Sequence, residues 1–242
     1  MAVSLRNQVA LVVGASSGIG RETAVLLARE GVRVMASARR EDRLRELRTS
    51  LQGEGFALDY HVADASDAAA METLAHGTRE RLGEIDILVY ATGNNIPDRA
   101  LTRLQRESWD QLISVNLSGA YYITRAVLPA MRERGRGHLI YIASISGKVP
   151  DVSGAAYQAS KRGMIGLAHA IRVEEKEHGI RTCAILPGLV DTEILDRRPV
   201  KPPPEMLAKA LRPEDVAEAV LAVARLPERV TVPEMEILPT LL

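Results

Sequence analysis

The chain has 242 residues, enough for one α/β domain or, less readily, two small ones. Hydrophobic residues make up 46% and charged residues 26%, ordinary values for a soluble globular protein with a sizeable buried core. With 31 basic and 31 acidic residues the formal net charge is zero, and aromatic residues are only 3%, which argues against a nucleic-acid or anionic-membrane surface.

Strand-like and helix-like patterns alternate from the start. Residues 9–13 form an apolar run that ends at Gly14, as a strand buried on both faces would. Residues 18–29 carry Ile19, Ala24, Leu27 and Ala28 at helical spacing and close at Gly31. Strands are predicted at 32–38, 56–62, 85–90, 138–143 and 180–186, with helices at 41–51 and 68–82. Long helices are predicted at 108–134, kinked by Pro129, and at 154–178. A helix at 213–224 starts with a first-turn proline, and 230–237 reads as a last strand that Pro233 confines to an edge or bulge. The alternation implies a single-domain doubly wound parallel sheet of about seven strands, of the Rossmann type, with helices on both faces.

The one break is the proline-rich stretch at 197–204. It reads as part of a mobile lid, about residues 189–211, or as a plain surface loop. The single cysteine, Cys183, lies in an apolar run, reads as a buried inert thiol and points to a reducing, cytoplasmic location. Residues 1–7 have no apolar signal-peptide core, no stretch is long enough to span a bilayer, and no metal is expected.

Gly14-Ala-Ser-Ser-Gly18-Ile-Gly20 joins the first strand to the first helix. Glycines there let the backbone approach a pyrophosphate at a helix N-terminus; a tight turn needing glycine is the plainer reading. The second strand ends at Ala38, where a dinucleotide fold selective for NAD usually presents an acid. Arg39 follows and could hold a 2′-phosphate through its planar fork, with Arg40 as a second candidate. Either arginine could instead be solvated or pair with Glu41 and Asp42. NADP(H) is therefore the expected cofactor, with NAD(H) as the other option. Asp64 ends the third strand, either to accept a hydrogen bond from an adenine amino group or to make an Asx-turn.

Tyr157 and Lys161 stand four residues apart on a helix, and Ser144 lies thirteen residues upstream of the tyrosine. An ammonium beside a phenol would lower its pKa, and a serine hydroxyl could hold an oxygen on the reacting carbon. Taken singly, Ser144 could merely end a strand, Asn116 cap a backbone kink and Lys161 be solvated.

Taken together, the glycine loop, Asp64, Asn116 in Val-Asn-Leu, Ser144, Tyr157-Gln-Ala-Ser-Lys161 and Pro187-Gly188-Leu-Val-Asp-Thr192 resemble the short-chain dehydrogenase/reductase family over nearly the whole chain. The resemblance implies that Tyr157 is the general acid and base, that Lys161 holds the nicotinamide ribose and lowers the tyrosine's pKa, and that Ser144 polarises the carbonyl. The Asn116 backbone would hold a water in a proton relay, and Thr192 with the backbone near Val190 would orient the carboxamide. Cofactor contacts are expected at Gly14, Ser16, Ser17, Gly18, Ile19, Gly20, Asp64, Ala65, Ala91, Gly93, Pro187 and Gly188. The chain departs from the family at Tyr90-Ala91-Thr92-Gly93, where an asparagine pair is usual, and at Val13 and Ala143. The contacts of that pair must be remade. The C-terminal run looks like a branch that includes 3-hydroxy-acid and serine-type dehydrogenases.

The substrate is expected to be a small or medium carbonyl or secondary alcohol, against Ser144, Tyr157, Asn94, Val149, Leu189 and Leu195. Asn95, Val152 and Ile194 are further candidates, and Lys148 or Arg197 would serve a substrate carboxylate. A homotetramer or homodimer is expected through the two long helices, with Ile165, Ala168, Ala170 and Ile171 on a partner or merely covering the sheet. The competing function is a non-catalytic dinucleotide-binding protein, a redox sensor or scaffold, on the same fold. A sugar epimerase or dehydratase is disfavoured, because little chain follows Pro187.

Overall fold

Apolar runs can enter a core only if their backbone groups are paired, and a parallel sheet pairs them while burying both faces. In the computed structural model, which describes residues 3–242, the runs form seven strands. These are β1 (Val9–Val13), β2 (Arg33–Ala38), β3 (Leu58–Val62), β4 (Ile87–Tyr90), β5 (Gly137–Ile142), β6 (Ile180–Pro187) and β7 (Glu234–Ile237). All pair in parallel in the order β3-β2-β1-β4-β5-β6-β7. The single α/β sheet read from the alternation is therefore present. The first two residues of the stretch inspected for a targeting signal lie outside the described residues.

Eight helices complete the described chain: α1 (Gly18–Arg29), α2 (Glu41–Gly53), α3 (Ala68–Leu82), α4 (Arg106–Ile113), α5 (Gly119–Arg134), α6 (Ala155–Glu175), α7 (Pro204–Leu207) and α8 (Pro213–Ala224). Alternate strand residues face opposite layers. Ala10 and Val12 pack with Leu27, Leu44 and Val220, so α1, α2 and α8 cover one face. Leu11 and Val13 pack with Met71, Ile123 and Met164, so α3, α5 and α6 cover the other.

Three details differ from the sequence pattern. The long helix expected over 108–134 is broken by a π-helical turn at Ser114–Ser118, and its second half runs through Pro129 to Arg134. The last strand begins only at Glu234. Pro233 precedes it and contributes its carbonyl to the Ala184 N–H at 3.0 Å, as a residue without an N–H must. On α6, Ala168 and Ile171 are buried against the sheet rather than offered to a partner, whereas Ala170 is exposed. Among the described residues no helix is long and apolar enough to cross a membrane.

β1 is flanked by β2 on one side and β4 on the other, so the chain reverses its direction of travel across the sheet there. In open α/β sheets the crevice at the carboxyl ends beside such a point accepts ligands.

Candidate active site

A cavity of about 880 Å³ opens at that crevice, over the carboxyl ends of β1, β4, β5 and β6. Its floor begins at Gly14. The residue has φ 95°, a conformation that favours glycine, and a Cβ would stand 2.7 Å from the Thr92 nitrogen. The N–H groups of Gly14 and Ala15 both donate to the Ser37 carbonyl, at 2.8 and 3.0 Å. The loop is thereby tied to the end of β2, and α1 points its first turn into the cavity with no acidic residue there. Ser16, Ser17, Gly18 and Ile19 line the cavity. Gly20 lies behind this wall, where a side chain would collide with the Gly14 carbonyl, so its role is close packing of helix on strand.

At the end of β2, Ala38, Arg39 and Arg40 all line the cavity. The sequence points first to Arg39, but Arg40 lies nearer the glycine loop. Its Nη2 donates to the Ser16 and Ser17 hydroxyls at 3.1 and 2.7 Å, and its Nη1 meets Glu193 at 2.8 Å. That guanidinium holds the Glu193 carboxyl below its usual range. Arg39 is more exposed and stands 3.6 Å from Asp64. Neither arginine pairs with Glu41 or Asp42. Asp64 makes the Asx-turn, accepting the Ser66 N–H at 2.9 Å. Burial works upward on its carboxyl, but the Ser66 bonds and the Arg39 charge bring it below the ordinary value.

Ser144, Tyr157 and Lys161 line the same cavity. Ser144 follows β5 and caps a 3₁₀ turn at Ile145–Gly147, its hydroxyl accepting the Ser146 N–H at 3.1 Å. Tyr157 lies in the first turn of α6, which starts at the positive-φ Gly154. Burial pushes the phenol up, and the Ser144 hydroxyl pulls it back. Asp151 adds to the rise, while Arg198 and Arg99 oppose it. Ser144, Arg198 and Arg99 thus act to lower this phenol. The Lys161 Nζ lies 5.8 Å from the ring centre and donates to the Ile142 carbonyl at 2.9 Å. Burial pushes Lys161 down to about 8. A Cβ on Gly93 would stand 3.3 Å from that Nζ, so the bare glycine leaves room for the ammonium.

Asn116 is fully buried in the π-helical turn and does not line the cavity. Its side chain accepts the Asn94 N–H at 2.8 Å and donates to the Asn94 carbonyl at 2.9 Å and to Ser160 at 3.1 Å. Ser160 in turn donates to the Tyr157 carbonyl at 2.7 Å. The loop after β4 is thus stitched to α6. Tyr90 opens the segment where the asparagine pair is usual, and its phenol donates to the Val115 carbonyl at 2.5 Å. Gly119 makes this possible, since a side chain there would collide with the Tyr90 oxygen.

Pro187, Gly188, Leu189, Val190, Thr192, Ile194 and Leu195 line the cavity from the β6 side, with Ala65, Ala91, Gly93, Asn94 and Asn95 opposite. Val149 and Val152 do not; they are 52% and 84% exposed, because the loop after the 3₁₀ turn faces solvent. Lys148 is also turned away and paired with Glu234 and Glu236 at 3.0 and 2.6 Å. Sequence reasoning missed Arg99, Asp151, Ser153 and Arg198, which line the same end of the cavity. No pattern marks them: they come from loops far apart in the chain.

Comparison with known proteins gives a consistent picture. The family model described as short chain dehydrogenase matches residues 8–201. An uncharacterized oxidoreductase of Staphylococcus saprophyticus is 36% identical over 98% of this chain and 99% of its own. An alcohol dehydrogenase of the archaeon Thermococcus sibiricus, solved with 5-hydroxy-NADP, superposes with a TM-score of 0.86 at 31% identity, covering 96% and 97% of the two chains. The closed form of a serine dehydrogenase with NADP+ superposes with a TM-score of 0.86 at 34% identity, covering 95% and 94%.

Proposed function

The chain belongs to the short-chain dehydrogenase family, an NAD(P)-dependent oxidoreductase, and on that premise we propose that it interconverts a small or medium carbonyl compound and its secondary alcohol with NADP(H). The observation that carries the reading is that Ser144, Tyr157 and Lys161 share one cavity with a helix N-terminus free of acidic residues. When bound, the nicotinamide dinucleotide would supply the hydride donor and acceptor. The cradle suits it: Gly14 leaves room for close approach, and the first turn of α1 attracts a pyrophosphate. Ala38 presents no carboxylate, and Arg40 with Arg39 suits a 2′-phosphate. Val190 and Thr192 would orient the carboxamide, and Lys161 the ribose.

The Tyr157 hydroxyl donates its proton to the substrate oxygen in reduction and receives it in oxidation. The Ser144 hydroxyl donates to the same oxygen as charge gathers there. Lys161 keeps a positive charge beside the pair, and Asn116 holds the loop and helix that carry them. The segment 189–211 serves as the cover over the substrate; Leu195 at its start is buried. The buried Cys183 thiol suits a reducing, cytoplasmic compartment. Self-assembly into a homotetramer completes the reading.

The test is NADPH absorbance against a panel of aldehydes and ketones, with Tyr157→Phe alongside the wild type. We expect the variant to bind NADPH as tightly as the wild type and to lose turnover by about 10²–10⁴-fold. A wild type that binds NADPH and oxidises none of it across the panel would instead favour a dinucleotide-binding protein without catalysis.

A further inference from the structure

The cavity is lined by a cation without an ion-pair partner. Arg99 is only 9% exposed, yet no carboxylate among the described residues lies within 4.0 Å of it. A buried guanidinium is normally paired, because desolvating its charge is costly. Its Nε donates to the Ile96 carbonyl at 3.0 Å and its Nη2 to the Arg197 carbonyl at 2.6 Å. Two of its five N–H donors are thereby used, which aims the fork and leaves the others free. Gly154 gives it room, since a Cβ there would stand 2.7 Å from the Arg99 Cβ.

Arg198, half-buried and likewise unpaired, lines the same end of the cavity. The acids nearby are occupied. Asp151 accepts the Ser146 and Ser153 hydroxyls at 2.5 and 3.1 Å and the Ser153 N–H at 2.8 Å. Asp196 pairs with Lys201 at 2.5 Å, and Glu193 with Arg40 at 2.8 Å. Two guanidinium groups without an ion-pair partner therefore line the cavity that Ser144 and Tyr157 also line, beside the hydrogen-bonded carboxylate of Asp151. Both are near enough to Tyr157 to lower its phenol.

We propose that Arg99, assisted by Arg198, receives an anionic group of the substrate, so that the carbonyl compound reduced at Tyr157 is an oxo acid or an oxo phosphate ester rather than a neutral ketone. This rests on the oxidoreductase reading above. A planar guanidinium with free donors meets a carboxylate or phosphate in the fork geometry, and a cavity that excludes water strengthens the pair. The anion would set which end of the substrate lies deep and so which face of its carbonyl meets Ser144 and Tyr157.

The experiment compares acetoacetate and levulinate with their methyl esters, and dihydroxyacetone phosphate with dihydroxyacetone, as NADPH-dependent substrates. At least one anion is expected to exceed its neutral counterpart in kcat/KM by about tenfold or more, and the pair that shows it separates carboxylate from phosphate. Arg99→Gln and Arg198→Gln should each lower that ratio by about tenfold, and Arg99→Lys by less than Arg99→Gln. Calorimetric titration of the NADP+-saturated protein with 3-hydroxybutyrate, 4-hydroxypentanoate and glycerol 3-phosphate should show weaker binding in Arg99→Gln.

If the neutral compounds are reduced as well as the anions, the enzyme reading stands and the anion site falls. If Arg99→Gln lowers anion and neutral compound by the same factor, Arg99 is a strut for the Arg197 carbonyl and the proposal is overturned. If none of these compounds is reduced, the titration decides: anion binding lost in Arg99→Gln supports the site, and no binding refutes it.

Discussion

Ser144 works on the phenol beside it. Its oxygen accepts the Ser146 N–H at 3.1 Å, which fixes the hydroxyl where it can stabilise the Tyr157 oxygen. Removing that hydroxyl removes a lowering influence, so Ser144→Ala raises the phenol further. In the proposed reaction, alcohol oxidation needs the phenolate, and kcat/KM for oxidation should rise with pH along a limb that moves to higher pH in the variant. A pH profile in the oxidative direction checks this; a limb at the same position in both proteins would count against it. Spacing placed Tyr157 and Lys161 on one helix face, and Ser144 joined them as a candidate set through the family resemblance of the surrounding motifs. Arg99 and Arg198 were not, because nothing local tells a buried arginine from a solvated one. Val149 and Val152 misled for the converse reason: nearness to Ser144 in sequence does not set the direction in which a loop turns.

Two elements show how local irregularity serves the cavity. The π-helical turn at Ser114–Ser118 interrupts what the sequence pattern reads as one long helix, and such turns frequently accompany functional sites. It points Asn116 at Asn94 and leaves Val115 a carbonyl that Tyr90 takes up. The hydrophobic period did not reveal it, since the irregular turn spans only five residues, too few to show a period of their own. The second element is the start of α2, where Arg40 joins the Ser16–Ser17 loop to Glu193 on the far side of the cavity mouth. Arg40→Ala should raise the KM for NADPH by about tenfold or more, by loss of a charge-assisted contact to the 2′-phosphate, and change the KM for NADH by less than threefold. Side-by-side cofactor kinetics decide it; equal effects on both cofactors would assign Arg40 to holding the loop instead. Its exposed pair with Glu193 should contribute only about 0–1 kcal/mol to stability, read by urea unfolding.

For the whole molecule, the helices α4, α5 and α6 leave Trp109, Tyr121 and Val173 exposed at 37%, 44% and 57%. Light scattering after size exclusion tests the proposed homotetramer, for which these faces are the candidate contacts and a dimer the smaller assembly. A monomer across a hundredfold range of concentration would set the proposal aside. The alternation of apolar strands with amphipathic helices determined, by itself, the parallel sheet and its two covered faces, because burial on both sides of a strand leaves few ways to pair it. The glycine loop was legible at the same level, and the Ser144, Tyr157 and Lys161 set became legible through the resemblance of the motifs around it. Only the tertiary structure decided that Arg40 bonds the serines of the glycine loop, that the Tyr90 phenol takes up the Val115 carbonyl, and that Arg99 and Arg198 line one cavity with Ser144 and Tyr157. Those arrangements join residues tens of positions apart, and distance in space between such residues is set by how elements pack, not by their order in the chain.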